Sequence, residues 1–179
     1  MPRFALLLVS AIALCGCAGV LSGTVNTATY SEPPAKRSFT VITPDNLSLT
    51  DRNLSAQIER KMLERGYVKA DSPKTANVAV IYKYSVGPGR TEVNSSPDFV
   101  WGGKQIETST TYPRFFQIVI VDLEKSKLPE KVEIIWQGEV RSSGSSENIS
   151  EIGPYFIDAL FENYGGTVTN KRFFKTVEW

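Results

Sequence analysis

Two cysteines, Cys15 and Cys17, are the most reactive side chains in this sequence, and both lie in the tetrapeptide Leu14-Cys15-Gly16-Cys17. No histidine occurs in the 179 residues. The commonest general base and the commonest transition-metal ligand are therefore missing. Ser-His-Asp and Cys-His catalysis and histidine-based zinc sites are excluded by inventory. Carboxylate, lysine and hard-cation chemistry survive. Asp122 with Glu124, and Glu147 with Glu151, are the acidic pairs. Acids beside turns usually serve as caps or solvated charges, so neither catalysis nor a metal site is expected of them. Neither G-x-x-x-x-G-K-[ST] nor G-x-G-x-x-G is present, and no cofactor is implied.

What precedes the cysteines sets what they can do. Arg3 is followed by an uncharged apolar run over residues 4–14. At about 11 residues it has the length of a signal-peptide core and falls short of the roughly 20 that span a bilayer. The tetrapeptide after it resembles the lipobox of bacterial lipoproteins. Gly16 before Cys17 suits the small-residue cleavage site, whereas Leu14 before Cys15 is too bulky, which makes Cys17 the acceptor. The resemblance implies cleavage between Gly16 and Cys17, a diacylglyceryl thioether on Cys17 and an acyl group on its freed amine. Several acyl chains hold a protein on its leaflet, where one binds only marginally. Cys15 leaves with the leader, so no internal disulfide can form. Ala18 stands where an aspartate would favour inner-membrane retention in enterobacterial sorting, and its presence points to the outer membrane, facing the periplasm. The competing readings are an ordinary secretory signal cut near Ala18 and a buried N-terminal helix.

These residues need a scaffold. Residues 1–16 are assigned to the signal peptide, 17–37 to a lipidated N-terminus and tether, and 38–179 to one α+β domain. The tether is small and polar, with Pro33-Pro34 near its end and a possible short edge strand at 25–30. Lys and Arg number 20 against 19 Asp and Glu, and loss of Arg3 balances them. Such a surface has no electrostatic footprint for nucleic acid.

Strands are expected at 38–43, 78–86, 114–123, 132–141 and 168–179, from β-branched and aromatic runs bounded by turn residues. One helix follows Ser48, with Asp51 completing a capping box and Leu54, Ile58 and Met62 forming a core stripe up to Gly66. A second, capped by Asn148 or Ser150, carries Ile152, Phe156, Ile157, Leu160 and Phe161. The order predicts a two-layer sandwich: a mixed, mostly antiparallel sheet of about five strands with both helices on one face. A long loop at about 87–113 bears the candidate binding residues Phe99, Trp101 and Tyr112, whose rings either dock a ligand or fold back over the sheet.

The ordered pieces Ala56-Gln-Ile-Glu-Arg-Lys-Met-Leu-Glu-Arg-Gly66-Tyr67, Asp71-x-Pro73, Ala76-Asn-Val-Ala-Val-Ile-Tyr82, Ile118-Val-Ile-Val-Asp122-Leu, Ile135-Trp136-Gln-Gly138 and Ala159-Leu-Phe-Glu-Asn-Tyr164-Gly-Gly166 resemble the uncharacterised bacterial lipoproteins of the domain of unknown function 4136 family. Family members often carry Phe-Pro where this chain has Tyr164-Gly165. The resemblance implies an envelope lipoprotein and supplies no catalytic residues.

The function expected from sequence is that of a non-catalytic binding or scaffold module, anchored to the membrane by lipid and docking an envelope protein. A carrier of an apolar or amphipathic ligand between sheet and helices is the alternative. A carboxylate- or lysine-based enzyme ranks third. Radiolabelled palmitate should enter the native protein and not a Cys17→Ser variant; an unlabelled native protein that washes off membranes would refute the anchor.

Overall fold

The computed structural model describes residues 18–43, 48–97, 104–127 and 131–178. The chain runs β1 (Ala18–Thr29), β2 (Ser38–Ile42), α1 (Leu49–Glu64), β3 (Val68–Lys69), a 3-10 turn (Pro73–Thr75), β4 (Val78–Val86), β5 (Arg90–Pro97), β6 (Lys104–Lys127), β7 (Lys131–Gly144), α2 (Ile149–Phe161) and β8 (Val168–Glu178). The sheet order is β3-β2-β4-β6-β7-β1-β8, and β5 pairs with β6 off this path. β2 runs parallel to β3 and β4, and the other pairs are antiparallel.

Two amphipathic helices build one side of the core. Ser48 Oγ accepts from Asp51 N at 3.0 Å and Asp51 Oδ2 accepts from Ser48 N at 3.3 Å, the expected capping box. Leu54, Ile58 and Met62 point from α1 into the core. Asn148 caps α2 through Ser150 N at 3.1 Å, and Pro154 is accommodated inside that helix. Inward residues of the strands alternate to meet the helices: Val78, Val80 and Tyr82 on β4, Phe116, Ile118 and Ile120 on β6, Trp136 and Val140 on β7, Leu21 and Val25 on β1, Phe173 and Val177 on β8. Ser55 of α1 meets Tyr82, and Phe156 of α2 lies 6.4 Å from Phe116, centroid to centroid. Both helices therefore share one face, and the other face has no helix on it.

Three sequence expectations change. The sheet has eight strands, not about five. Residues 18–29, assigned to the tether, form a long strand hydrogen-bonded to β7 on one edge and β8 on the other. Its run of Gly, Ser, Thr and Asn hides an alternation in which Leu21, Gly23, Val25 and Thr27 face the core. Gly23 is needed there, because a Cβ would lie 2.8 Å from the Phe173 ring. The segment at 87–113 is not a loop for most of its length: β5 and the first eight residues of β6 pair from Arg90↔Thr111 to Pro97↔Lys104. Its alternation is polar against polar, so it carries no burial signal. The tether expected at 17–37 is thus reduced on the C-terminal side of β1 to the connection from Tyr30 to Arg37.

Trp136 illustrates how tightly the sheet and α2 fit. A Cβ on Gly138 would sit 2.6 Å from the Trp136 ring and 2.7 Å from Leu160. Gly138→Ala is expected to destabilise the fold by about 1–3 kcal/mol through overpacking. Gly166→Ala meets nothing nearer than Asn163 O at 3.5 Å and is expected to be close to neutral. Urea unfolding followed by circular dichroism checks the contrast.

Candidate functional site

Phe99 and Trp101 lie outside the described residues. Tyr112, the third residue of the candidate loop, stands at the root of the β5–β6 arm. Its ring crosses Gly89, where a Cβ would come within 2.8 Å. Tyr112 is half-buried and braces the root. Two residues on, Arg114 is 5% exposed, and its guanidinium occupies the space left by the missing side chain of Gly144. Burial pulls the Arg114 pKa down, and no carboxylate of the described residues pairs with it. Arg114 and Gly144 were not singled out in sequence. The available signal was a lone cation opening the apolar run RFFQIVIV.

Beyond this root the arm packs on no other element among the described residues. Every residue of its strands with a described side chain is exposed apart from Thr110. The register places Val93 opposite Thr108 and Ser95 opposite Ile106, so Val93 and Ile106 are diagonal neighbours on one face. They are 65% and 68% exposed. Lys104 shares that face by alternation. Glu92 and Glu107, paired with Ser109 and Asn94, lie on the other. The pleat thus puts both exposed aliphatic residues, Val93 and Ile106, on one face, and Glu92 and Glu107 with Arg90 on the other.

Elsewhere many of the polar side chains have structural partners, while Trp136 Nε1 is buried without one among the described residues. Asp51 receives Tyr84 Oη at 3.2 Å through its carboxylate and Tyr82 Oη at 3.0 Å through its carbonyl. Ser55 Oγ lies 3.0 Å from Tyr82 Oη. Burial raises the pKa of both tyrosines, with Asp51 adding to the rise. At the opposite end of the core Tyr164 Oη meets Tyr67 Oη at 2.7 Å, under the guanidinium of Arg65, 5.1 Å from the Tyr164 ring. Burial is also the main cause that drives the Tyr164 pKa far upward. Asp122, fully buried, accepts from Lys125 N at 3.0 Å, where the register of β6 with β7 becomes irregular. Glu151 accepts from Asn148 Nδ2 at 2.7 Å at the mouth of α2. Lys61 reaches Asp158 at 2.8 Å, and that hydrogen bond raises its pKa.

Among the described residues, no group of three or more Asp, Glu, Cys or His could hold a metal ion. No helix among them is long and apolar enough to cross a membrane. The space between sheet and helices is filled by Phe116, Trp136, Phe156, Ile157 and Phe161, and the described grooves open on the outside.

The phenols of Tyr82, Tyr84 and Tyr164 make a pH prediction. Their folded pKa values lie above the ordinary 10.0, so the native state holds protons that the unfolded chain releases. Their contribution to stability is complete below pH 10.0 and falls as pH rises above it, and Lys61 acts in the same direction. The urea midpoint should drop on the alkaline side, and Tyr164→Phe should flatten that drop.

No curated protein gives a significant match. A PDZ domain protein from Parabacteroides distasonis is similar in fold, with a TM-score of 0.53 at 12% identity, over 88% of this chain. This chain spans only 38% of that protein. A DUF4136 family protein from Bacteroides thetaiotaomicron aligns at TM-score 0.45 and 12% identity, covering 78% of this chain and 92% of that one. A PelC dodecamer from Paraburkholderia phytofirmans aligns at 0.42 and 12%, covering 77% and 93%. The model of the domain of unknown function DUF4136 matches residues 25–164, from the middle of β1 to the tyrosine that follows α2, and the chain therefore belongs to that family.

Proposed function

We propose that the protein is a non-catalytic binding module of the bacterial envelope, tethered to the outer membrane through Cys17 and docking through its β5–β6 arm. The observation that carries this reading is the arm itself: a paired, two-faced ribbon that projects past the sheet and buries none of its aliphatic side chains within the chain. An isolated two-stranded ribbon is marginal in water. This one is held by continuity with β6 and by the Tyr112–Gly89 and Arg114–Gly144 joints at its root. Such a ribbon gains stability when a partner covers it. The apolar packing between sheet and helices supports docking at the surface over the carrier alternative.

Trypsin tests the docking role, because Arg90 at the root of the arm and Lys104 at its far end are both cleavage sites. Both sites should be cut readily in detergent-purified protein and protected in isolated envelopes. Equal cleavage in the two preparations would mean that nothing in the envelope covers the arm.

A further inference from the structure

We infer that the surface covered by the arm is the membrane leaflet to which Cys17 is anchored, so that the β5–β6 ribbon is a lipid-contacting element. The inference rests on the tethered reading above and names the partner of the same arm.

Topology carries it. β1 and β6 are both antiparallel to β7, so they run in the same direction. One row of the sheet crosses Val86, Arg114, Ser142, Gly23 and Phe173. From that row β1 continues five residues back to Ala18, and β6 continues ten residues back to Lys104, toward the same end of the sheet. At ~3.3 Å per residue these overhangs are about 17 Å and 33 Å. Between them β7 stops at Gly144, two residues past the row, and β4 stops on it. The two overhangs stand two strand spacings apart, about 10 Å, with a twist between them of about 45°.

Cys17 is the covalent neighbour of Ala18, where β1 begins. An acyl group on that residue leaves no length of free chain between the leaflet and the sheet. Lys104 then lies farther along the anchored direction than the anchor itself. The sheet cannot stand on its lipid without bringing the arm to the headgroups.

The side chains fit that surface. The aliphatic face presents Val93, Ile106 and Lys104, apolar contact with a cation suited to lipid phosphates, while Glu92 and Glu107 lie on the opposite face. On the β1–β8 overhang, Val20 and Phe174 are 72% and 67% exposed and are diagonal neighbours, Val20 pairing with Thr176 and Ser22 with Phe174. Both overhangs thus offer exposed apolar side chains at the anchored end.

The test uses the full lipidated protein in phosphatidylethanolamine–phosphatidylglycerol vesicles containing nitroxide-labelled lipid. Val93→Cys and Ile106→Cys carry an environment-sensitive fluorophore, and Lys74→Cys, on the 3-10 turn at the other end of the sheet, is the control. Quenching by lipid nitroxide should be severalfold stronger at 93 and 106 than at 74, and Val93→Asp should weaken it at 106. If palmitate labels Cys17 but positions 93 and 106 remain as aqueous as 74, the leaflet contact is overturned. Protection of the arm from trypsin in envelopes would then assign it to a protein. If Cys17 takes up no palmitate, the tethered reading fails and this inference falls with it.

Discussion

Hydrogen bonding of β1 along both of its edges is the constraint on which the rest depends. Seven residue pairs join it to β7, and nine join it to β8. Without β1, β8 would have no strand to pair with, and the core would lose Leu21 and Val25 opposite α2. With it in place, the segment that follows Cys17 becomes an interior strand of the sheet. A position that could have been the loose end of a tether is fixed relative to every other element.

The core explains why only one face of this sheet is settled by helices. Phe116, Trp136, Phe156 and Phe161 interlock through ring contacts of 6.1–6.4 Å, and Gly138 and Gly153 let α2 and α1 approach closely. The opposite face is cohesive in a different way. Phe115 lies between Lys83, 5.8 Å from its centroid, and Arg141, at 5.5 Å, and Arg141 also contacts Glu139 at 3.2 Å. Such cation–π pairs contribute modestly at exposed sites and keep a large ring compatible with water. These contacts cover Phe115, whereas Val20 and Phe174 on the same face, and Val93 and Ile106 on the arm, stay exposed.

Several carboxylates and tyrosines of the sequence have structural partners. Asp51 caps a helix while receiving a tyrosine, and Asp122 holds a turn. Tyr67 and Tyr164 tie the start of β3 to the residues after α2. Tyr164 occupies the position where family members often have phenylalanine; its hydroxyl gives this chain a polar contact there, and Gly165 follows in the left-handed region at φ 77°.

Local periodicity decided much of this protein. The Leu54–Ile58–Met62 stripe, the Ser48–Asp51 box, the α2 face and the apolar strands β4, β6 and β7 were legible because burial imposes 3.6- or 2-residue alternation on the sequence. The family, and the chemistry excluded by the lack of histidine, were legible too. Tertiary structure alone decided the rest. β1 reads as a linker because its inward positions include Gly23, where Arg141 O and the Phe173 ring leave no room for a side chain, and Thr27, whose hydroxyl bonds Gly166 O. The arm reads as a loop because neither face is buried, and without burial there is no pattern to detect. That β1 and the arm leave the sheet at the same end follows from strand order and register, and the pairing of β1 joins residues more than a hundred positions apart, which leaves no local trace in the chain.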